Sequence, residues 1–170
     1  MYLYLMRHGR ALALEESNVQ YDAERPLSGP GKRDILAVSE FMKKMDYHPH
    51  GIFTGPFNRS RMSGEIISDA FGDIPVHMDT SLLPGAGLSD VLNCLSTFDP
   101  KNQQAALVIL HEPDISYILG QLFQGEDGQY PYPIYSGDFF ALRVDINNHK
   151  AMGRTLSAYS PMITRCGDHV

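Results

Sequence analysis

Residues 2–9 read Tyr2-Leu3-Tyr4-Leu5-Met6-Arg7-His8-Gly9. The run from Tyr2 to Met6 is continuously apolar, without the alternation of a half-exposed strand. That is the pattern of a strand covered on both faces. It ends abruptly in an arginine, a histidine and a glycine. In a sheet with helices on both faces, ligands sit beyond the carboxyl ends of the strands. The placement of Arg7-His8-Gly9 therefore bears on the fold and on the site at once.

Working outward, residues 7–27 lack clean periodicity and are expected to form a long loop. Ser28 suits an N-cap, with Pro30 just inside the helix after it. Ile35, Val38, Phe41, Met42 and Met45 recur at spacings of three and four, giving that helix one buried face. His48-Pro49-His50-Gly51 breaks it, and Gly51–Thr54 reads as a short strand. A second helix is expected from about Asn58 to Phe71, with Met62, Ile66 and Ala70 on one side. Ile74–Met78 can be a strand, and Ser81–Gly87 a loop. Leu88, Val91, Leu92, Leu95 and Phe98 mark a third helix. Ala105–Leu110 is the clearest buried strand of all. Pro113 fits the first turn of a fourth helix carrying Ile115, Ile118, Leu119 and Leu122. Gly125–Gly137 is a loop. Asp138–Ile146 and Met152–Tyr159 are expected to be strands joined by a turn at Asn147-Asn148. Alternating strands and helices predict a three-layer α/β/α sandwich with a mainly parallel sheet, and the short final connection makes the C-terminal strands antiparallel. No repeat, low-complexity tract or linker divides the chain, so residues 1–170 are expected to form one domain.

Composition excludes several classes. Apolar residues make up 43% and charged residues 20%, a globular balance. A net charge of −6 lacks the basic footprint of a nucleic-acid binder. The apolar start is too short for a signal peptide or a membrane span, so no membrane association and a cytoplasmic location are expected. Cys94 and Cys166 are too few for a disulfide framework and are expected to be reduced.

The polar residues at the end of each strand carry the chemistry. Arg7-His8-Gly9 comes after the first strand, Gly55-Pro56-Phe57-Asn58-Arg59 after the second, and His111-Glu112-Pro113 after the strand at 105–110. Two histidines and two arginines thus meet on one rim, and Arg25, in the loop before the first helix, can reach it. Arginine presents a planar fork of donors that matches phosphate oxygens. A neutral imidazole is a nucleophile near pH 7 and can carry a phosphoryl group covalently. A second, protonated imidazole can stabilise the transition-state charge. Each residue taken singly has a structural explanation: Arg59 and Arg61 as solvated helix residues, His111 as a helix-entry histidine. Their coincidence at correct strand ends is what favours phosphoryl transfer. Rival motifs fall short. Gly29-Pro30-Gly31-Lys32 lacks the first glycine and the final hydroxyl residue of a P-loop. His48-Pro49-His50 has only Asp46 close by in sequence and reads as a surface turn rather than a metal site.

Four segments resemble the histidine phosphatase superfamily: Leu5-Met6-Arg7-His8-Gly9-Arg10-Ala11; Arg25-Pro26-Leu27-Ser28-Gly29-Pro30-Gly31; Gly55-Pro56-Phe57-Asn58-Arg59; and Leu107-Val108-Ile109-Leu110-His111-Glu112-Pro113. They occur in the family's order, and the absence of a large inserted lid points to its SixA-like phosphohistidine phosphatases. The resemblance implies that His8 is the phosphorylated nucleophile and that Arg7, Arg59 and His111 surround the phosphoryl group. Gly9 and Arg25 would add binding contacts. It implies no metal or other cofactor, and a phosphohistidine-bearing protein partner such as a phosphotransfer domain. Two departures stand out. Gly55 replaces the usual serine. The segment after the third strand, Ser81–Asp90, offers only Asp90 as a general acid, with Glu112 a second candidate. The SixA-like branch likewise lacks a clear acid there, and imidazole leaving phosphohistidine needs one less than an alkoxide does. The rival readings are a small-metabolite phosphomonoesterase and a non-catalytic phosphate-binding module. Retention of both His8 and His111 disfavours the module.

Overall fold

A computed structural model describes residues 1–96, 105–125, 128, 130–147 and 150–162. Its strands are β1 (Tyr2–Arg7), β2 (Gly51–Thr54), β3 (Val76–Met78), β4 (Ala105–Leu110), β5 (Phe139–Asn147) and β6 (Lys150–Tyr159). Its helices are α1 (Leu14–Ser17, one turn), α2 (Gly29–Lys44), α3 (Asn58–Ala70), α4 (Leu88–Leu95) and α5 (Asp114–Gln124). The strands form one sheet in the order β3-β2-β4-β1-β5-β6. The first four in that order run parallel, while β5 is antiparallel to β1 and β6 to β5. This is the expected mixed sheet.

The two continuous apolar runs occupy its centre. β1 and β4 pair in register from Tyr2 with Ala105 to Arg7 with Leu110, and all six residues of β4 are buried. Their side chains feed two cores. One face of the sheet packs Leu3, Leu5, Val108 and Leu110 against α4 and α5. The other packs Met6, Leu107 and Ile109 against Ile35, Val38 and Met42 of α2 and Ile67 of α3. The chain therefore leaves β1 toward one face and β4 toward the opposite face. A crevice opens between two adjacent strands whose connections diverge in this way. It lies just beyond Arg7 and Leu110.

Most sequence boundaries hold, and the departures have physical causes. The stretch 7–27 contains α1 and a 3-10 turn at Asp22–Glu24, and it is tied down by the bridge between Ala11 and Leu27. Ser28 caps α2 by accepting from the Gly31 N–H at 3.1 Å, and its hydroxyl donates to the Arg10 carbonyl at 3.0 Å. Met45 is exposed because the helix has already ended there. Pro113 is the N-cap of α5 rather than part of its first turn. β3 is shorter than expected. Phe98, Asn148 and Cys166 lie outside the described residues; Cys94 is buried.

The real correction concerns α3. Its buried residues are Arg59, Ser60, Ser63, Gly64, Ile67 and Ser68. Met62, Ile66 and Ala70 are only half-buried. The helix is rotated away from its apolar stripe so that Arg59 and two serines face inward toward the crevice.

Candidate active site

His8 comes directly after β1, with only 8% of its surface exposed. Its main chain extends the central pairing by one residue, the N–H donating to Leu110 O at 3.1 Å. Its ring Nδ1 lies 2.8 Å from the Gly9 carbonyl oxygen. A carbonyl can only accept, so Nδ1 carries the proton and Nε2 presents its lone pair. Consistently, Arg59 Nε donates to His8 Nε2 at 3.3 Å. The pattern leaves one nitrogen of His8 nucleophilic and points it toward a guanidinium.

His111, at the end of β4, completes the centre. Its ring centroid lies 4.9 Å from that of His8, inclined at 58°. Its Nε2 is 3.3 Å from Ser60 Oγ on α3. The Phe57 ring meets His111 edge-on at 5.3 Å and lies 4.7 Å from the Arg59 guanidinium carbon, wedging both against His8. Burial is the main cause pulling the His8 pKa down to about 3, opposed by the bond to Gly9 and reinforced by His111, Arg59 and Arg7. Burial likewise lowers His111 to about 4, with Arg59 adding to it and Asp22 opposing. Both imidazoles are thus neutral at pH 7. A phosphate dianion beside His111 would favour its charged form, so its arrival moves His111 toward protonation.

Arg7 belongs to the same field. Its Nη1 donates to the Ile134 carbonyl at 2.6 Å, and its buried Nε makes no hydrogen bond within the protein. The segment before β5 grips this strand end: Gly137 N–H donates to Arg7 O and His8 O, and Arg7 N–H donates to Asp138 O. Arg25 reaches the site indirectly, with its Nε 3.0 Å from Asp22 Oδ1. Arg61 is turned toward Glu65 and Asn58 on its own helix.

The glycines act differently from one another. Gly9 offers its carbonyl to His8, while its N–H donates to Ser63 Oγ at 3.0 Å. A Cβ there would come within 2.9 Å of Ile35, so the close approach that requires glycine is to α2. At Gly55 a Cβ would lie 2.4 Å from the Leu82 carbonyl oxygen. The serine expected at this position does not fit beside the 80–82 turn.

Each candidate acid has one carboxylate oxygen engaged, while Glu112 Oε2 is buried without a hydrogen-bond partner. Asp90 Oδ2 accepts from the Gly87 N–H at 2.8 Å and closes the first turn of α4. Glu112 Oε1 accepts from Ser116 Oγ at 2.5 Å, one turn into α5. His48 pairs with Asp46 at 3.1 Å and His50 Nδ1 accepts from the Ala105 N–H, as a turn would. Among the described residues no group of three or more His, Cys, Asp or Glu could hold a metal ion, and no helix is long and apolar enough to cross a membrane.

Sequence reasoning missed Asp22, Ser60, Ser63 and Asp114. Asp114 is buried and accepts from the Gly85 N–H at 2.9 Å, tying the 83–87 loop to α5; burial raises its pKa. Ser60 and Ser63 carried a signal: with Gly64 and Ile67 they form a small-residue stripe at helical spacing. Asp22 carried none, since only the folded loop brings it to Arg59.

Comparison with known proteins agrees with this geometry. The model of the histidine phosphatase superfamily (branch 1) matches residues 3–83, which include three of the four resembling segments. An uncharacterized protein of Picosynechococcus sp. is 27% identical over 131 residues, covering 76% of this chain and 78% of its own. The protein histidine phosphatase SixA, solved with tungstate, superposes with a TM-score of 0.79 at 22% identity, covering 96% of this chain and 99% of its own. A mycobacterial glucosyl-3-phosphoglycerate phosphatase superposes with a TM-score of 0.68 at 16% identity, covering 92% and 97%. Residues 3–83 thus match the histidine phosphatase superfamily model, and the fold of the chain is that of the SixA structure.

Proposed function

We propose that this chain belongs to the histidine phosphatase superfamily and hydrolyses phosphohistidine on another protein, through a phosphoryl group carried on His8. The observation that carries the reading is the state of His8: Nδ1–H held by Gly9 O, and Nε2 open toward Arg59 with His111 alongside. His8 Nε2 forms a bond to phosphorus as the substrate's P–N bond breaks. The departing imidazole keeps the proton already on its other nitrogen and takes the electron pair of the broken bond. Water then attacks phosphorus, the bond to Nε2 breaks, and phosphate leaves with His8 restored. Arg7 and Arg59 hold the phosphoryl oxygens, and His111 offsets their charge as it builds. Arg25 adds positive charge at the edge.

Support for the substrate class comes from the carboxylates. Asp90 is engaged by Gly87 and Glu112 by Ser116. Carboxylates tied down on one oxygen in this way favour a leaving group that needs little protonation, and imidazole meets that condition better than an alkoxide. Similarity to the SixA fold supports the same choice, while similarity to the glucosyl-3-phosphoglycerate phosphatase fold marks the rival, a sugar phosphate.

The test is a substrate panel with rapid quenching. A labelled phosphorylated phosphotransfer domain should leave an acid-labile adduct on His8, and its kcat/KM should exceed that of sugar phosphates. Full activity in His8→Ala, or faster cleavage of a sugar phosphate with near-total loss in Asp90→Asn, would overturn the reading.

A further inference from the structure

Asp22 carries no step of this phosphoryl transfer, yet it holds two of the arginines that surround the phosphate position. Arg59 meets it twice: Nη1 donates to the Asp22 main-chain carbonyl at 2.9 Å, and Nη2 lies 3.0 Å from Oδ2. The other carboxylate oxygen, Oδ1, lies 3.0 Å from Arg25 Nε. One carboxylate thus joins two guanidiniums, an oxygen to each. The third arm of Arg59 is its Nε on His8 Nε2. The loop is fastened to α3 once more, by Asn58 Nδ2 donating to Glu24 O at 2.7 Å. Arg59 is buried at this junction, whereas the Asp22 side chain is 58% exposed.

We propose that Asp22 is a positioning residue that aligns Arg59 and Arg25 for the phosphoryl group and, by its negative charge, limits how tightly the site retains phosphate. The proposal rests on the reading of His8 as nucleophile. Two effects of opposite sign arise from the same contacts. Removing the carboxylate leaves Arg59 anchored by the main-chain carbonyl at position 22, but no longer by a charged second bond. The guanidinium then gains freedom to swing about Nη1, and its Nε drifts from the line to His8. Phosphoryl transfer depends on such alignment, so turnover falls. The same change removes a negative charge from beside the phosphate position and leaves two arginines without a counter-charge. A phosphate dianion then binds more tightly. Tighter binding of the ground state or product does nothing to speed the reaction.

A purely structural clamp would behave otherwise. A loosened 22–25 loop would weaken turnover and phosphate affinity together, because both would suffer from displaced arginines. The experiment therefore measures both on the full chain, for the parent, Asp22→Asn and Asp22→Glu. Turnover is read with a phosphorylated phosphotransfer domain, and affinity by calorimetric titration with inorganic phosphate. Asp22→Asn should lower kcat about tenfold and tighten phosphate binding about threefold or more. Asp22→Glu, which keeps the charge, should recover most of kcat and the parent's phosphate affinity. Unchanged kcat in Asp22→Asn, or phosphate binding that is unchanged or weaker, would overturn the proposal. If the parent fails to turn over phosphohistidine at all, the function reading fails separately. The titration then decides for Asp22 alone: tighter binding in Asp22→Asn upholds it, and any other result overturns it.

Discussion

Helices α3 and α5 pack on opposite faces of one sheet, and both begin at the rim of the same crevice, yet they bury different chemistry. α5 buries Ile115, Ile118, Leu119 and Leu122, each 1% exposed or less. α3 buries Arg59, Ser60, Ser63 and Gly64, with Ile67 its one large apolar residue fully inside. α5 is fixed by apolar burial. The inward face of α3 is fixed by bonds to the site: Ser60 to His111, Ser63 to Gly9 and Arg59 O, and Arg59 to His8 and Asp22. A helix that walls a polar site gives up part of its apolar stripe. Hydrophobic periodicity consequently reports only those helices whose inner face meets nothing but core.

The comparison predicts that damage to the two helices should show in different measurements. The largest effect is expected on α5. Leu119→Ala removes a fully buried side chain and should cost about 2–5 kcal/mol of folding stability. Thermal or urea unfolding would measure it, and kcat/KM per folded molecule should stay within about twofold. A large fall in kcat/KM without loss of stability would erase the distinction. On α3 the expected pattern is inverted. Arg59→Lys keeps the charge but loses the planar fork, so kcat/KM should fall at least about tenfold, or ~1.4 kcal/mol of transition-state stabilisation. Its melting temperature should move less than that of Leu119→Ala, because lysine keeps the charge beside Asp22 and opens no cavity in the apolar core. Full activity in Arg59→Lys would remove the arginine from the phosphate site.

The smallest effect sharpens the contrast through pH. His8 and His111 are held down to about 3 and about 4 by burial. Between those values and the ordinary value near 6.5 the unfolded chain binds more protons than the folded one. Stability is therefore full above about pH 6.5 and declines as pH falls toward 4 and then 3. From pH 7 to 5.5 each histidine should contribute a loss of about 1 kcal/mol. Urea unfolding across that range would show it, with a shallower slope in His111→Asn than in the parent. An identical slope in that variant would mean that His111 is not held neutral by the fold.

Much of this was legible in the chain because the responsible physics is local. The uninterrupted apolar runs Tyr2–Met6 and Ala105–Leu110 announce strands buried on both faces, and they are the two central strands. Ser28 and Pro30 announce the start of α2, where a hydroxyl meets unpaired N–H groups. His8, Arg59 and His111 stand out as polar residues placed just beyond apolar strands, since the ends of parallel strands share one rim. The rotation of α3 was hidden, because Met62 and Ile66 form the more visible stripe and serines do not register as core. Gly55 stood out only as a departure from the usual serine, while the fold shows that the Leu82 carbonyl leaves no room for a side chain.

The sequence alone determined the layers, the strand directions and the residue types gathered at the rim, because burial and backbone pairing arise from runs of neighbouring side chains. Only the tertiary structure decided which nitrogen of His8 is free, what Asp90 and Glu112 are bonded to, and that Asp22 lies between Arg59 and Arg25. Those facts depend on atoms brought within about 3 Å across separations such as the 37 residues between Asp22 and Arg59. Hydrogen bonds and close ion pairs form only at such distances, so no pattern along the chain could have shown them.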